Sequence, residues 1–358
     1  MLFEPKQEYL GLDISDLSLK AAQFKHNVKN QPTLVGLGRI ELATGIFEEG
    51  ELKQPEILIN SIVNLLNKPQ IGKFTTTYVN ASLPETKTFI KMIDVPPMSY
   101  EEIPEAIKWE AEHHIPIPIE ETYWDWQQIG KPSKANSRLP ILLGVAPKNI
   151  VESYAQALKG ARLIPTAFEI EAESICRSLL PLDTSTIRDA IIIIDIGATR
   201  TSLIVFDNNT IQFTVSLPIS GLKITQTISN KLSLSEMQAE KAKVLCGLDP
   251  KKCHGAMAEI LHSVMDELIH RINEAIIFYQ EHFSGGHKIN QIILCGGGSN
   301  FKSIDQYLNE RLELTVRRGD PWNNIDSNHS PLKPNELAAY TTAIGLALRN
   351  FLPHVNHD

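Results

Sequence analysis

Cysteine is scarce in this chain. Its four cysteines, Cys176, Cys246, Cys253 and Cys295, show no C-x-x-C spacing, which argues against a disulfide framework or a zinc site. Buried or incidental thiols are expected instead. Long apolar runs are missing too: none approaches the roughly 20 residues that a membrane-spanning helix needs. The opening stretch, MLFEPKQEYLG, puts an acid and a proline where a signal peptide has a basic start and a long apolar centre. A cytoplasmic location is therefore expected. Positive charge is in deficit, with a net charge of -8. That argues against a broad nucleic-acid surface and against independent docking on anionic lipid. What remains is an ordinary globular composition, and 358 residues suffice for two or more domains around a sizeable core.

Against these absences stands a repetition. YLGLDISDLSLKAAQF, from Tyr9 to Phe24, is an apolar strand running into Asp-Ile, a small-residue turn and a second strand. IIIIDIGATRTSLIVF, from Ile191 to Phe206, repeats the arrangement. The first pair continues near Leu34 to Leu42, with helical spacing over Pro55 to Lys68 and a strand ending at Pro84. The stretch from Lys87 to Pro165 reads strand–helix–strand–strand–helix, the size of a small inserted subdomain. Its helix is expected to open at Ser99, and GKPSKANSRLP reads as a polar hairpin loop. After the second pair, Asp207-Asn208-Asn209 marks a hairpin turn. Helices are expected over GLKITQTISNKL, SEMQAEKAKVLCGL, about Ala256 to His282, and NELAAYTTAIGLALRNFL, with a buried strand in INQIILCGGGSNF. The pattern predicts a duplicated α/β core with two inserted modules.

Two such hairpins facing one another present turn amides that can cradle phosphate. Asp13 and Asp195 would then lie close together, and like charges at short range call for a cation such as Mg²⁺. Either aspartate alone reads more simply as a strand end opening a turn. The matched pair and a third glycine site favour phosphate. That third site is Gly296-Gly297-Gly298 after an apolar strand, where backbone can approach a base or a phosphate. Glu240 and Lys243 share one helix face and can bracket a nucleoside, or form an ordinary solvated pair.

In this order the motifs resemble the actin-like ATPase superfamily, over nearly the whole chain. Within it the chain most resembles the PilM family of type IV pilus assembly proteins, relatives of FtsA. The resemblance rests on GIFEEGELKQPEIL, IKMIDVPPMSYEEIPEAIKWEAEHHIPIPIEET, IDIGATRTSLIVF and AIGLALRN. It implies a ribonuclease H-like duplicated core around a nucleotide cleft. The first core subdomain would take 1–86, 166–188 and 336–358, and the inserted α/β subdomain 87–165. The second core subdomain would take 189–220 and 285–335, with a helical nucleotide-side subdomain at 221–284.

The resemblance further implies ATP or ADP with Mg²⁺. Asp13 and Asp195 would face the metal. Lys20, Ser15, Asp16, Gly197, Ala198 and Thr199 would line the phosphates, Glu240 and Lys243 the nucleoside, and Gly296, Gly297 and Gly298 the adenosine loop. Glu171 falls where relatives place a water-orienting acid, with Glu169 a close competitor and solvated glutamate the plainer reading of both. Ser15-Asp16 departs from the family pattern, where the first position is usually glycine and the second small and neutral. A tight hairpin turn there is expected to need positive φ, with Asp16 taking it. ATPase turnover is expected to be slow or absent.

The implied partner is the cytoplasmic N-terminal peptide of the membrane protein PilN, docking between the first core subdomain and the insert. Ile115, Pro116, Ile117 and Pro118 are the candidates for that cleft, although packing in the insert's own sheet is the plainer reading of the isoleucines, and Trp124 and Trp126 read as core. Pilus motor ATPases and a second copy of the chain are further candidate partners, nucleic acid is not, and the membrane is reached only through a partner. NFLPHVNHD is too short and polar for the amphipathic tail helix of FtsA. Two other classes stay open: a small-molecule kinase of the same superfamily, which needs a further catalytic aspartate, and an FtsA-like filament protein.

Overall fold

In the computed structural model, residues 7–129, 138–283, 285–325 and 330–351 are described. Most of the expected polar hairpin loop and nearly all of NFLPHVNHD lie outside them. The chain opens with β1 (Leu10–Ser15), β2 (Ser18–His26) and β3 (Pro32–Glu41), a small hairpin of β4 (Phe47–Glu48) and β5 (Glu51–Leu52), then α1 (Pro55–Asn67) and β6 (Ile71–Gly72). β7 (Tyr78–Leu83) follows, then β8 (Phe89–Val95), α2 (Ile103–His114), β9 (Thr122–Gln128), β10 (Leu139–Pro147), α3 (Lys148–Gly160), β11 (Ile164–Ile170) and α4 (Glu171–Leu179). The second hairpin is β12 (Ala190–Ile196) and β13 (Thr201–Asp207), extended by β14 (Thr210–Leu217). Then come α5 (Gly221–Leu232), α6 (Glu236–Cys246), the long α7 (Ala256–His282), β15 (Ile289–Cys295), α8 (Ile304–Leu312), β16 (Thr315–Arg318), α9 (Pro334–Leu337) and α10 (Thr341–Leu348).

The duplication is real at the level of topology. The first sheet runs β11-β7-β1-β2-β3-β6, and the core of the second runs β16-β15-β12-β13-β14. In each, an antiparallel three-stranded meander is joined by two further strands parallel to its first member. β1 and β12 are central strands covered on both faces, which is why they read as near-continuous apolar runs. The Asn208-Asn209 turn joins β13 to β14 with φ of 49° and 65°, the left-handed pair that a tight hairpin favours. Ser220 caps α5, and Ser235 with Gln238 forms a capping box on α6.

Three details differ from the sequence reading. β8, β10 and β9 extend the second sheet beyond β14, through the single pair Phe213 and Lys91, while α3 packs Ile150, Tyr154 and Leu158 against Leu58, Ile62 and Leu65 of α1 on the first. Ser99 does not open α2: its hydroxyl donates to the Glu102 carboxylate in a turn ahead of Ile103, and Pro104 occupies the helix's first turn. The expectation of four thiols is also corrected. Cys246 and Cys253 are paired as a disulfide across seven residues, joining the end of α6 to the turn before α7, while Cys176 and Cys295 are free and buried. A C-x-x-C test cannot detect that spacing. No helix among the described residues is long and apolar enough to cross a membrane.

Candidate functional site

The ends of the two duplicated hairpins meet across a cleft of ≈ 850 Å³ between the halves. That size suits a nucleotide-scale ligand. Asp13, Ser15, Asp16 and Lys20 line it from β1 and β2, and Asp195, Gly197, Ala198 and Thr199 from β12 and its turn. Glu240 and Lys243 line it from α6, Gly296, Gly297 and Gly298 from the turn after β15, and Glu171 from the start of α4. The structure thus gathers all fourteen of these residues around one opening. Strand register explains the first two sets: Asp13 pairs with Lys20 across β1–β2, and Asp195 with Ser202 across β12–β13.

The two hairpins differ in charge compensation. Asp13 is 3% exposed, and its carboxylate accepts from Lys20 Nζ at 2.8 Å and from Ser15 Oγ at 2.9 Å. Asp195 has no such cation. The Cys295 thiol donates to its carboxylate at 3.6 Å, and burial, then the facing Asp13, push its carboxyl up to about 6 against the opposing pull of Lys20. Burial, then Asp13, Glu85 and Asp195, push Glu171 well above the carboxylate range. Glu169, its competitor, belongs to the framework: Arg177 holds it with two bonds of 2.7 and 3.0 Å, and Arg349 joins them. Among the described residues, no three His, Cys, Asp or Glu side chains cluster tightly enough to hold a metal by themselves.

The turns are built for close approach. Gly197 N donates to Arg200 O at 2.8 Å, closing a four-residue loop, while the amides of Ala198 and Thr199 make no backbone bond among the described residues. Gly296 has φ 79°, and a Cβ there would lie 2.1 Å from Asp195 Oδ1. Only glycine keeps the third loop against the second aspartate. Lys243 is buried: its Nζ donates to Glu240 Oε2 at 2.6 Å, Thr225 Oγ1 at 2.9 Å and the Gly221 carbonyl at 3.2 Å. The Glu240–Lys243 pair is therefore anchored at the mouth of α5, more than a solvated surface pair.

Two expectations change here. None of Ser15, Asp16, Leu17 and Ser18 has positive φ, so Asp16 does not take a left-handed position. The Asp16 carboxylate instead accepts from Thr199 Oγ1 at 2.9 Å, linking one hairpin turn to the other. Glu85 was not anticipated at all. It leaves β7 directly after Pro84, accepts from Ser202 Oγ at 2.7 Å, and is pushed up to about 7 by burial and then Asp195. The available signal was a carboxylate at the end of a strand parallel to the one bearing Asp13. The Ile115–Pro118 stretch lies apart from the cleft. Ile115 packs against the insert's apolar cluster, as do Trp124 and Trp126, while Pro116 and Pro118 are exposed and Ile117 is half-buried.

A family model described as Type IV pilus assembly protein PilM matches residues 11–351. Cell division protein FtsA of Buchnera aphidicola subsp. Schizaphis graminum is 22% identical, with 94% of this chain and 89% of that protein aligned. FtsA of Buchnera aphidicola subsp. Baizongia pistaciae is 25% identical, and there the match spans about half of the relative, 52% of its length. Among solved structures, a PilM-PilN type IV pilus biogenesis complex superposes with a TM-score of 0.83 at 25% identity, over 98% of this chain and 100% of that one. MreB5 of Spiroplasma citri bound to ADP superposes at 0.55 and 13% identity, over 96% and 95%. The fold is therefore the actin-like ATPase fold.

Proposed function

The chain belongs to the PilM family of type IV pilus assembly proteins, and on that premise we propose that it is a nucleotide-binding adaptor that docks the cytoplasmic N-terminal peptide of PilN and links it to the cytoplasmic motor. The observation that carries the nucleotide half is the convergence of both hairpin turns and the Gly296–Gly298 turn on one cleft. The free turn amides and Lys20 bind the phosphates of ATP or ADP, and Glu240 with Lys243 brackets the nucleoside. The residues fit Mg²⁺ as well: Asp195 is a buried carboxylate without a cation of its own, facing Asp13. Asp13 and Asp195 are the residues that would hold such an ion, which would supply charge neutralisation for bound phosphates. Burial, then Asp13, push the Glu171 carboxyl well above its ordinary range and so favour its acid form. A carboxylic acid orients water but takes no proton from it, which supports slow or absent hydrolysis.

The docking half is supported by the PilM-PilN complex as a structural relative. Pro116, Ile117 and Pro118 offer apolar surface at the end of α2, and the protein reaches the inner membrane from the cytoplasmic side through PilN. Calorimetric titration of the PilN N-terminal peptide tests this. Saturable binding is expected, weakened about tenfold or more by Ile117→Asp, the loss of roughly one buried apolar contact. Absence of saturable binding to the folded wild-type chain would remove the adaptor reading.

A further inference from the structure

Thr199 and Asp16 sit 183 positions apart, on the tips of the two duplicated hairpins, and their side chains are hydrogen-bonded at 2.9 Å. Thr199 donates and the carboxylate of Asp16 accepts. Both residues line the cleft. The Thr199 hydroxyl belongs to the turn whose Ala198 and Thr199 amides make no backbone bond among the described residues. A phosphoryl oxygen and a carboxylate oxygen are alike to such a donor set: each is an anionic acceptor of short, charge-assisted bonds. The side chain of Asp16 therefore lies where the second hairpin would receive a phosphate oxygen, and it comes from the opposite half of the molecule.

We propose that Asp16 is an internal competitor for the phosphate subsite: its bond to Thr199 clasps the two halves together and must be exchanged for a phosphate bond when a nucleotide binds. This rests on the nucleotide reading above and deepens it, by assigning Asp16 a role opposed to ligand binding. The exchange conserves the number of hydrogen bonds on Thr199, which passes from one anion to another. It leaves the Asp16 carboxylate facing the phosphates or turning to solvent. Both consequences disfavour the bound state, so Asp16 sets the affinity of the site downward.

A second carboxylate makes the same kind of crossing. Glu85 leaves β7 of the first half and accepts from Ser202 of β13 at 2.7 Å. Ser202 lies three residues beyond Thr199, on the strand arm rather than on the turn. The Glu85–Ser202 bond is part-buried, whereas the Asp16–Thr199 bond is exposed. Only the second occupies the turn that presents free amides. The Glu85 bond can hold the halves in register while the Asp16 bond opens.

The test is a thermodynamic cycle on the full chain, with Asp16→Asn, Thr199→Val and the double variant, read by calorimetric affinity for metal-free ADP and for Mg·ATP. Thermal melting checks that each variant is folded. Asparagine keeps a turn-forming amide without the charge, and valine keeps the backbone amide and shape without the donor. With Thr199 present, Asp16→Asn is expected to tighten ADP about tenfold; in the Thr199→Val background the same change is expected to give less than about threefold. Equal tightening in both backgrounds would mean simple repulsion and would overturn the clasp. So would weakened Mg·ATP binding with unchanged ADP binding, which would make the carboxylate a metal-shell ligand. If neither the wild type nor any variant binds nucleotide, the nucleotide reading itself falls, and the competition with it.

Discussion

The first hairpin brings its own counter-ion and the second does not. Asp13 and Lys20 face each other across β1–β2, both nearly buried, with their charged ends 2.8 Å apart. At the matching place in β12–β13 the partner of Asp195 is Ser202, and that serine bonds Glu85. The turns differ in the same sense. The first closes over two residues and carries a carboxylate, while the second spans four residues and presents backbone. A duplicated fold has thus been specialised by charge: one copy is electrostatically complete, and the other carries the unmet negative charge that a cation on phosphate would offset. Sequence similarity between the two Asp-Ile motifs conceals this, because compensation is decided seven residues away, by Lys20 in one copy and by Ser202 in the other.

The comparison is sharpened most by making one substitution in each copy. Asp13→Asn strands a buried lysine, and breaking one side of a buried pair costs about 3–5 kcal/mol. The melting temperature is expected to fall by several degrees. Asp195→Asn removes a carboxylate that burial and Asp13 already oppose, so without nucleotide the melting temperature is expected to hold or rise, by up to about 1 kcal/mol in stability. Calorimetric melts of the two variants read both signs at once. Equal losses would break the asymmetry.

A smaller effect concerns pH. The Glu85 carboxyl is raised to about 7 in the folded chain, so the folded state binds its proton more tightly than the unfolded chain does. Its contribution to stability is fully present below about 4.5 and is lost as pH climbs through 7. Between pH 5 and pH 8 the wild type should therefore lose about 2–4 °C of melting temperature relative to Glu85→Gln, which has nothing to titrate there. Parallel melting curves for the two proteins across that range would show that Glu85 is ionised throughout.

Much of this architecture is legible in the sequence because it is written in periodicity and turn chemistry. α5 and α7 fall on the stretches where the sequence places helices. The duplication follows from two motifs, and the fourteen cleft residues from the motifs together with the family resemblance. What escapes is tertiary. The continuation of the insert's strands into the second sheet rests on one residue pair, Phe213 and Lys91, and no local pattern encodes that. The last helix reads as one unbroken segment. It is instead divided into α9, a 3₁₀ turn over Ala338–Tyr340 and α10, where Gly345 presses on the Ser174 carbonyl of α4. Asp16 illustrates the limit best. Its turn chemistry suggests a left-handed residue, but a hydroxyl 183 positions away supplies its partner.

The most direct measurement of the central claim uses Asp195→Asn again, now titrated with Mg·ATP in a calorimeter beside the wild type. If Asp195 is the unmet charge that a cation on the phosphates completes, the wild type binds and the variant, though at least as stable, binds about thirtyfold or more weakly, a difference of roughly 2 kcal/mol. A variant that melts normally and binds Mg·ATP with wild-type affinity would contradict the account.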